Sequence, residues 1–228
     1  MDRFRNIYII VPAFNESKVI KDILIELKNY FKNIIVVDDG SEDNTKEIAN
    51  SVGVILLHHP INLGQGAAIS TAINYIKDMQ NLDGAITFDA DGQHSVQDAV
   101  SFADALLLCN EDIIFGSRFL NHSKNVPFTK RVVLNLVKSI SNFILDLKHT
   151  DAHNGLKAFN KNALNKISLQ IDRYGFETEI ISQLRRHNLT YKELPTNIVY
   201  NDYSQKKGQS LRNGVRILES LLGLIFKK

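Results

Sequence analysis

The 228-residue chain lacks several features that mark particular classes of protein. It has a single cysteine, which excludes an internal disulfide bond. Its formal net charge is only +2, and it has no basic stripe of the kind that nucleic-acid-binding proteins present. No stretch reaches the roughly 18 apolar residues of a membrane-spanning helix, and the apolar run 7–11 is too short for a signal peptide. We therefore expect a cytoplasmic protein with no nucleic-acid partner, one that can still lie peripherally on the inner face of the cell membrane.

Strands and helices are predicted to alternate along the first half of the chain. Short apolar runs that end in polar loops predict strands, and apolar residues at helical spacing predict helices between them. The predicted strands are 6–11, 34–37, 52–58, 85–88, 113–115 and a short piece at 156–160, followed by an edge strand at 194–200 that contains a proline. This alternation is typical of a mainly parallel sheet with helices on both faces. Because the chain has no repeat and no linker, we expect a single α/β domain with a Rossmann-like sheet over residues 1–228.

The second half of the chain contains two stretches with an apolar stripe and basic flanks. They are 132–147 and 211–225. Such stripes are found in core helices with solvated lysines and also in helices that lie on an anionic membrane. The pattern leaves both interpretations open.

Two carboxylates, Asp89 and Asp91, close the predicted strand 85–88. Residues i and i+2 of a strand point to the same face, so one cation could meet both acids. Mg²⁺ and Mn²⁺ take oxygen ligands and are often held by one or two carboxylates together with substrate phosphates. The pattern predicts a metal held against a nucleoside diphosphate. An Asp-Gly turn without a metal is the alternative.

A glycine-containing loop, 62–66, resembles part of a dinucleotide-binding fingerprint. The third glycine of that fingerprint is absent, and no acidic residue follows at the expected distance. An oxidoreductase that uses a dinucleotide is therefore a weak hypothesis.

Five motifs together resemble the family-2 glycosyltransferases in order and spacing. They are Pro12–Glu16, Val37–Ser41, Asn62–Gly66, Asp89–His94 and Gly116–Arg118. More narrowly, the chain is similar to the polyprenyl-phosphate branch of that family, typified by dolichyl-phosphate mannose synthase. The resemblance implies a GT-A type fold and inversion at the anomeric carbon. It also implies a UDP- or GDP-sugar donor, a Mg²⁺ or Mn²⁺ cofactor and a polyprenyl phosphate acceptor.

The resemblance also implies that the two halves of the chain bind different substrates. Residues 1–118 would form the nucleotide-sugar half, and residues 119–228 would form the acceptor half. The implied nucleotide-binding residues are Pro12, Phe14, Asn15, Glu16, Asp39, Gly64, Asp89 and Ala90. Asp89, Asp91 and Gln93 would ligate the metal. Arg118 and Arg131 would face the acceptor phosphate or the diphosphate, since the arginine fork suits phosphate oxygens.

The acceptor determines whether a general base is needed. A lipid phosphate is already ionised at neutral pH and needs none, whereas a saccharide hydroxyl must give its proton to a carboxylate. Glu177 and Glu179 are the candidates for that second reaction, although Glu177 could equally be a favourable charge at the start of a helix. Transfer to a saccharide hydroxyl in surface polysaccharide assembly therefore stays open as an alternative. A catalytically silent nucleotide-sugar-binding subunit is a third hypothesis, against which the intact Asp89, Asp91 and Gln93 argue.

Many members of this branch carry transmembrane helices after the catalytic domain. This sequence shows no such helices. We therefore expect weak membrane anchoring, with the acceptor reached at a membrane surface or delivered by a membrane-protein partner.

Overall fold

A computed structural model describes residues 3–120, 149–151, 154–171 and 175–198. The strands are β1 (Ile7–Ala13), β2 (Asn33–Asp38), β3 (Ile55–His58), β4 (Gly84–Thr87), β5 (Ile113–Ser117), β6 (Lys157–Asn160) and β7 (Tyr191–Pro195). The helices are α1 (Ile20–Lys28), α2 (Thr45–Val52), α3 (Gln65–Ile76), α4 (Val96–Leu108), α5 (Lys161–Lys166) and α6 (Phe176–Arg186). Within these ranges the strands form one sheet in the order β3-β2-β1-β4-β6-β5-β7. Strand β6 is antiparallel to β4 and β5, whereas the other pairs are parallel.

Both faces of this sheet are covered by helices. Successive residues of β1 point to opposite faces, so Ile10 joins one apolar cluster and Ile9 joins the other. Helices α3 and α6 contribute to the first cluster, and α1 and α4 contribute to the second. The predicted single α/β fold with a mainly parallel sheet is confirmed.

Several predicted element boundaries are wrong, and three of them bear on the site or on the edge of the sheet. Strand β3 begins at Ile55 because α2 continues to Val52 and ends at Gly53, which has the left-handed conformation that glycine adopts readily. Strand β4 ends at Thr87, before the two acids that were assigned to its end. The edge strand is Tyr191–Pro195, earlier than predicted, but it does lie at the edge of the sheet beside β5.

The two segments with basic flanks, 132–147 and 211–225, lie outside the described residues. Among the helices that the structure does describe, none has the length and apolar character needed to cross a membrane.

Asp112 ties three parts of the chain together just before β5, at the edge of the sheet opposite the loops that follow β1 to β5. Its carboxylate accepts hydrogen bonds from Asn162 Nδ2 at 2.7 Å, Asn160 Nδ2 at 3.1 Å and the Thr190 amide at 2.9 Å. Burial on its own would raise the pKa of Asp112, but the bonds from Asn162, Thr190 and Asn160 outweigh it and lower the pKa. The ionised carboxylate is therefore the form that stabilises this corner of the fold.

Asp112→Asn is expected to lower the free energy of unfolding by about 1–3 kcal/mol at pH 7, because it removes an ionised acceptor from several hydrogen bonds that are partly buried. A carboxyl whose folded pKa is lowered stabilises above its unfolded pKa, which is about 4, and loses that contribution as the pH falls through the folded value. The difference between wild type and variant should therefore be full at pH 7 and shrink below about pH 4. Urea unfolding of wild type and variant at pH 7 and at pH 3 measures this difference. A difference that stays constant down to pH 3 would contradict this account.

Candidate active site

The loops that follow β1 and β2 are joined by hydrogen bonds at the carboxyl edge of the sheet. The Asn15 amide donates to Ser41 Oγ at 2.9 Å, and the Glu42 amide donates to Asn15 Oδ1 at 2.8 Å. The Glu16 amide donates to Thr45 Oγ1 at 2.8 Å. Asn15 and Glu16 are thus held against the loop after β2.

The other residues predicted in the first loop have different environments. Pro12 lies within β1, opposite Val37 of β2. Phe14 is 37% exposed at this edge of the sheet. The structure therefore places an aromatic surface next to the anchored Asn15.

Asp39 organises the loop that follows β3. Its Oδ1 lies 2.7 Å from His59 Nδ1 and accepts from the Leu63 amide at 3.0 Å, while its Oδ2 accepts from the Gly64 amide at 2.7 Å. His59 lies just beyond β3 and reaches a carboxylate 20 positions earlier in the chain. Asp39 thus fixes the position of Gly64, and its expected contact with a base or ribose stays a prediction.

Gly40 allows the loops after β2 and β3 to approach closely. A Cβ atom at this position would lie 2.5 Å from the backbone carbon of Ile61, and Gly40 has φ +72°. Any other residue would push the two loops apart and strain the backbone.

Asp89 and Asp91 lie in the loop after β4. The strand ends at Thr87, so the alternation of side chains along a strand is not a valid reason to expect both acids at one metal site. Gln65 Nε2 donates to Asp89 Oδ1 at 2.8 Å, and His94 Nε2 lies 3.6 Å from Asp89 Oδ2. A Cβ atom at Gly155 would come within 1.9 Å of Asp89 Oδ2, so the absence of a side chain there makes room for the carboxylate. Neither Gln65 nor Gly155 is among the site residues that the sequence predicts.

Asp91 turns toward Gln93 and is close enough to Asp89 for their charges to interact. Gln93 donates to Asp91 from its backbone amide at 3.0 Å and from its side-chain amide. Burial, followed by the negative charge of Asp89, raises the pKa of Asp91, although the bonds from Gln93 oppose that rise. Ala90 between the two acids is buried. A divalent cation between the two carboxylates would offset their mutual repulsion, and carboxylate and amide oxygens are ligands that Mg²⁺ and Mn²⁺ accept, so the donor set fits a metal.

The protein side of such a metal site would have few ligands. Among the described residues, no group of three or more His, Cys, Asp or Glu side chains could hold a metal ion. Mg²⁺ is commonly bound by one or two carboxylates plus substrate phosphates. Asp89, Asp91 and the Gln93 amide fit that kind of site, in which the substrate completes the coordination.

Arg118 follows β5 at the same edge of the sheet and is buried against Asp151. Asp151 Oδ2 accepts from Arg118 Nε at 2.6 Å and from the Arg118 amide at 3.1 Å. The segment around Asp151 is held in turn by Glu193 of β7, which accepts from the Thr150 amide at 2.9 Å and the Asp151 amide at 3.2 Å. The guanidinium is therefore positioned by contacts that reach to the edge strand. Arg131, its predicted companion, lies outside the described residues.

Both candidate bases on α6 are engaged by other groups. Glu177 Oε1 lies 3.0 Å from Nζ of Lys157, which is only 1% exposed. Glu179 accepts from the amides of Gln170 and Ile171, each at 2.9 Å to Oε2. The structure brings Glu177 near the start of β6, whereas Glu179 secures the segment before α6.

Comparison with known proteins identifies the family. Residues 8–168 match the model of glycosyl transferase family 2. The chain is 39% identical to the uncharacterised protein MJ1222 of Methanocaldococcus jannaschii, with 95% of this chain and 90% of that protein aligned. It is 35% identical to UDP-N-acetylglucosamine--dolichyl-phosphate N-acetylglucosaminyltransferase of Methanococcus voltae, with 96% and 95% aligned.

Solved structures confirm the fold. Glucosyl-3-phosphoglycerate synthase of Mycobacterium tuberculosis, in complex with phosphoglyceric acid, matches with a TM-score of 0.73 and 17% identity over 96% of this chain and 79% of that one. Other crystals of that synthase contain UDP with Mn²⁺ or with Mg²⁺. The GT-A type fold is thereby confirmed, and the chain belongs to glycosyl transferase family 2, as a glycosyltransferase of its polyprenyl-phosphate branch.

Proposed function

We propose that this glycosyltransferase moves a hexose from a UDP- or GDP-sugar to a polyprenyl phosphate, with inversion and with a divalent metal. The observation that carries the proposal is the gathering of Asp89, Asp91 and Arg118 at one edge of the sheet. Carboxylates that attract a cation, together with a guanidinium, are suited to a reaction in which both the donor and the acceptor carry phosphate groups.

Asp89, Asp91 and Gln93 would hold the metal, which supplies Lewis-acid neutralisation of the departing diphosphate. The donor's nucleoside would lie over the anchored loop of Phe14, Asn15 and Glu16. A uridine donor is the first to test, because the M. voltae relative is named for UDP-N-acetylglucosamine and the structural neighbour binds UDP.

The environment of Glu177 and Glu179 favours a phosphate acceptor over a saccharide hydroxyl. Both carboxylates are occupied by donors of this chain, so neither is placed as a ready proton acceptor. An ionised phosphate needs no such group: its oxygen forms the bond to the anomeric carbon while the bond from that carbon to the diphosphate oxygen breaks. The electron pair leaves with the diphosphate, no proton has to be removed, and one displacement inverts the centre.

Residues 1–118 would carry the donor site, and residues 119–228 would complete the acceptor site, since Asp151 of that part positions Arg118. A polyprenyl chain resides in a membrane. The enzyme would therefore work peripherally at a membrane surface or beside a membrane-protein partner.

A transfer assay tests the proposal. Purified protein is incubated with a radiolabelled UDP- or GDP-sugar, Mn²⁺, and either a polyprenyl phosphate in detergent or a saccharide acceptor. We expect label in the lipid product, none after chelation of the metal, and a β-linkage by NMR from an α-linked donor. If label is transferred only to the saccharide, and if Glu177→Gln loses that transfer but still binds the donor, the assignment of polyprenyl phosphate as the acceptor is wrong. Nucleotide binding without any transfer or donor hydrolysis would favour the silent-subunit hypothesis.

A further inference from the structure

Gln65 reaches across the edge of the sheet to one of the proposed metal ligands. It is the first residue of α3, which follows β3, whereas Asp89 follows β4. These two strands are separated by β2 and β1 in the sheet. The hydrogen bond from Gln65 Nε2 to Asp89 Oδ1, at 2.8 Å, therefore joins elements that are not neighbours in the sheet.

The two oxygens of Asp89 have different neighbours. Oδ1 accepts from Gln65, whereas Oδ2 lies 3.6 Å from Nε2 of His94, whose side chain is 3% exposed. A carboxylate with a donor on one oxygen is restricted in rotation about its side-chain torsions. The orientation of Asp89 is thus set before any ligand binds.

The position of Gln65 is itself fixed from the nucleotide side. The preceding residue, Gly64, donates its amide to Asp39 Oδ2 at 2.7 Å. The path from Asp39 through Gly64 and Gln65 to Asp89 connects the carboxyl ends of β2 and β4. One short loop therefore sets both a predicted nucleotide contact and a predicted metal ligand.

We propose that Gln65 is a positioning residue for the metal, which orients Asp89 through this hydrogen bond. The inference rests on the metal dependence in the proposed function and adds a residue outside the predicted ligand set. Groups that hydrogen-bond to a ligating carboxylate typically change metal affinity 10- to 100-fold when they are removed. Gln65 is exposed, so its removal should cost little stability and should act mainly on the metal.

The test compares Gln65→Met with Gln97→Met. Methionine keeps the length of the side chain and removes the amide. Gln97 is a matched control because it is also an exposed glutamine in the first turn of a helix, here α4. Mn²⁺ affinity is measured by the loss of the free-ion EPR signal at saturating UDP, and UDP affinity without metal is measured by calorimetry.

We expect Gln65→Met to bind Mn²⁺ about 10-fold more weakly than wild type, with unchanged metal-free UDP affinity and unchanged melting temperature. Gln97→Met should match wild type in all three. Equal Mn²⁺ affinity in Gln65→Met and wild type would overturn the inference alone. A loss of metal-free UDP affinity in Gln65→Met as large as its loss of Mn²⁺ affinity would also overturn the inference, because Gln65 would then act on the nucleotide. Absence of Mn²⁺ binding in the wild type would overturn the metal dependence of the proposed function and this inference with it.

Discussion

Gly155→Ala is expected to lower metal-dependent transfer by about 100-fold while the protein stays folded. A Cβ atom at this position would lie 1.9 Å from Asp89 Oδ2 and 2.5 Å from Asp89 Cγ, so the carboxylate must move. A displacement of about 1 Å in a catalytic group can cost two orders of magnitude in rate. The clashing atoms belong to the end of a side chain, which can turn away without disturbing the strands.

Gly84→Ala is the contrasting variant. A Cβ atom there would lie 2.2 Å from the backbone oxygen of Phe159, across the β4–β6 pair. The backbone in the middle of a sheet cannot move aside as the end of a side chain can. Gly84→Ala should therefore lower the free energy of unfolding. Urea unfolding and initial transfer rates at saturating donor separate the two outcomes. Full metal-dependent activity in Gly155→Ala would contradict the assignment of Asp89 to the metal.

Lys157→Met is expected to lower the free energy of unfolding by about 3 kcal/mol. The ammonium of Lys157 is buried at the start of β6, where it pairs with Glu177 at 3.0 Å and donates to the Asn154 carbonyl. Removing one partner of a buried ion pair leaves the other charge without compensation. Urea unfolding at pH 7 measures the loss.

A double-mutant cycle with Glu177→Gln shows whether the two residues act as a pair. Contacting residues of this kind couple by about 0.5–3 kcal/mol, so the double variant should be more stable than the sum of the single changes implies.

The Glu177→Gln variant also tests whether Glu177 acts as a base in the transfer reaction. If it loses turnover with unchanged stability, Glu177 is a base, and the phosphate-acceptor argument is wrong.

The arrangement of the loops was predictable from the sequence, because parallel strands bring their carboxyl ends to one edge. Asp39, Asp89 and Arg118 each follow a strand of that kind, and the structure places all three at that edge. That each is a polar residue directly after an apolar run was sufficient to predict this location. The reason first given for pairing Asp89 with Asp91 was nevertheless wrong, since β4 ends before both.

The contacts between these loops were not predictable. Arg118 and Asp151 are 33 positions apart, and Asp89 and Gln65 are 24 apart, so no local periodicity links either pair. His59 contacts Asp39 because β2 and β3 are neighbours in register, which the positions of the two residues in the sequence do not reveal. The sequence predicted no role for Gly155, since its importance lies in the side chain that it does not carry.

In the proposed function, Asp89 and Asp91 hold a metal against a nucleoside diphosphate. Thermal melting with UDP and with GDP, each with and without Mn²⁺, tests it most directly in wild type and Asp91→Asn. A ligand that binds only the folded state stabilises it by about 2.7 kcal/mol at a hundredfold excess over its Kd. We predict a rise with at least one nucleotide that requires Mn²⁺ and disappears in Asp91→Asn. No metal-dependent rise in the wild type, or the same rise in Asp91→Asn, would contradict the account.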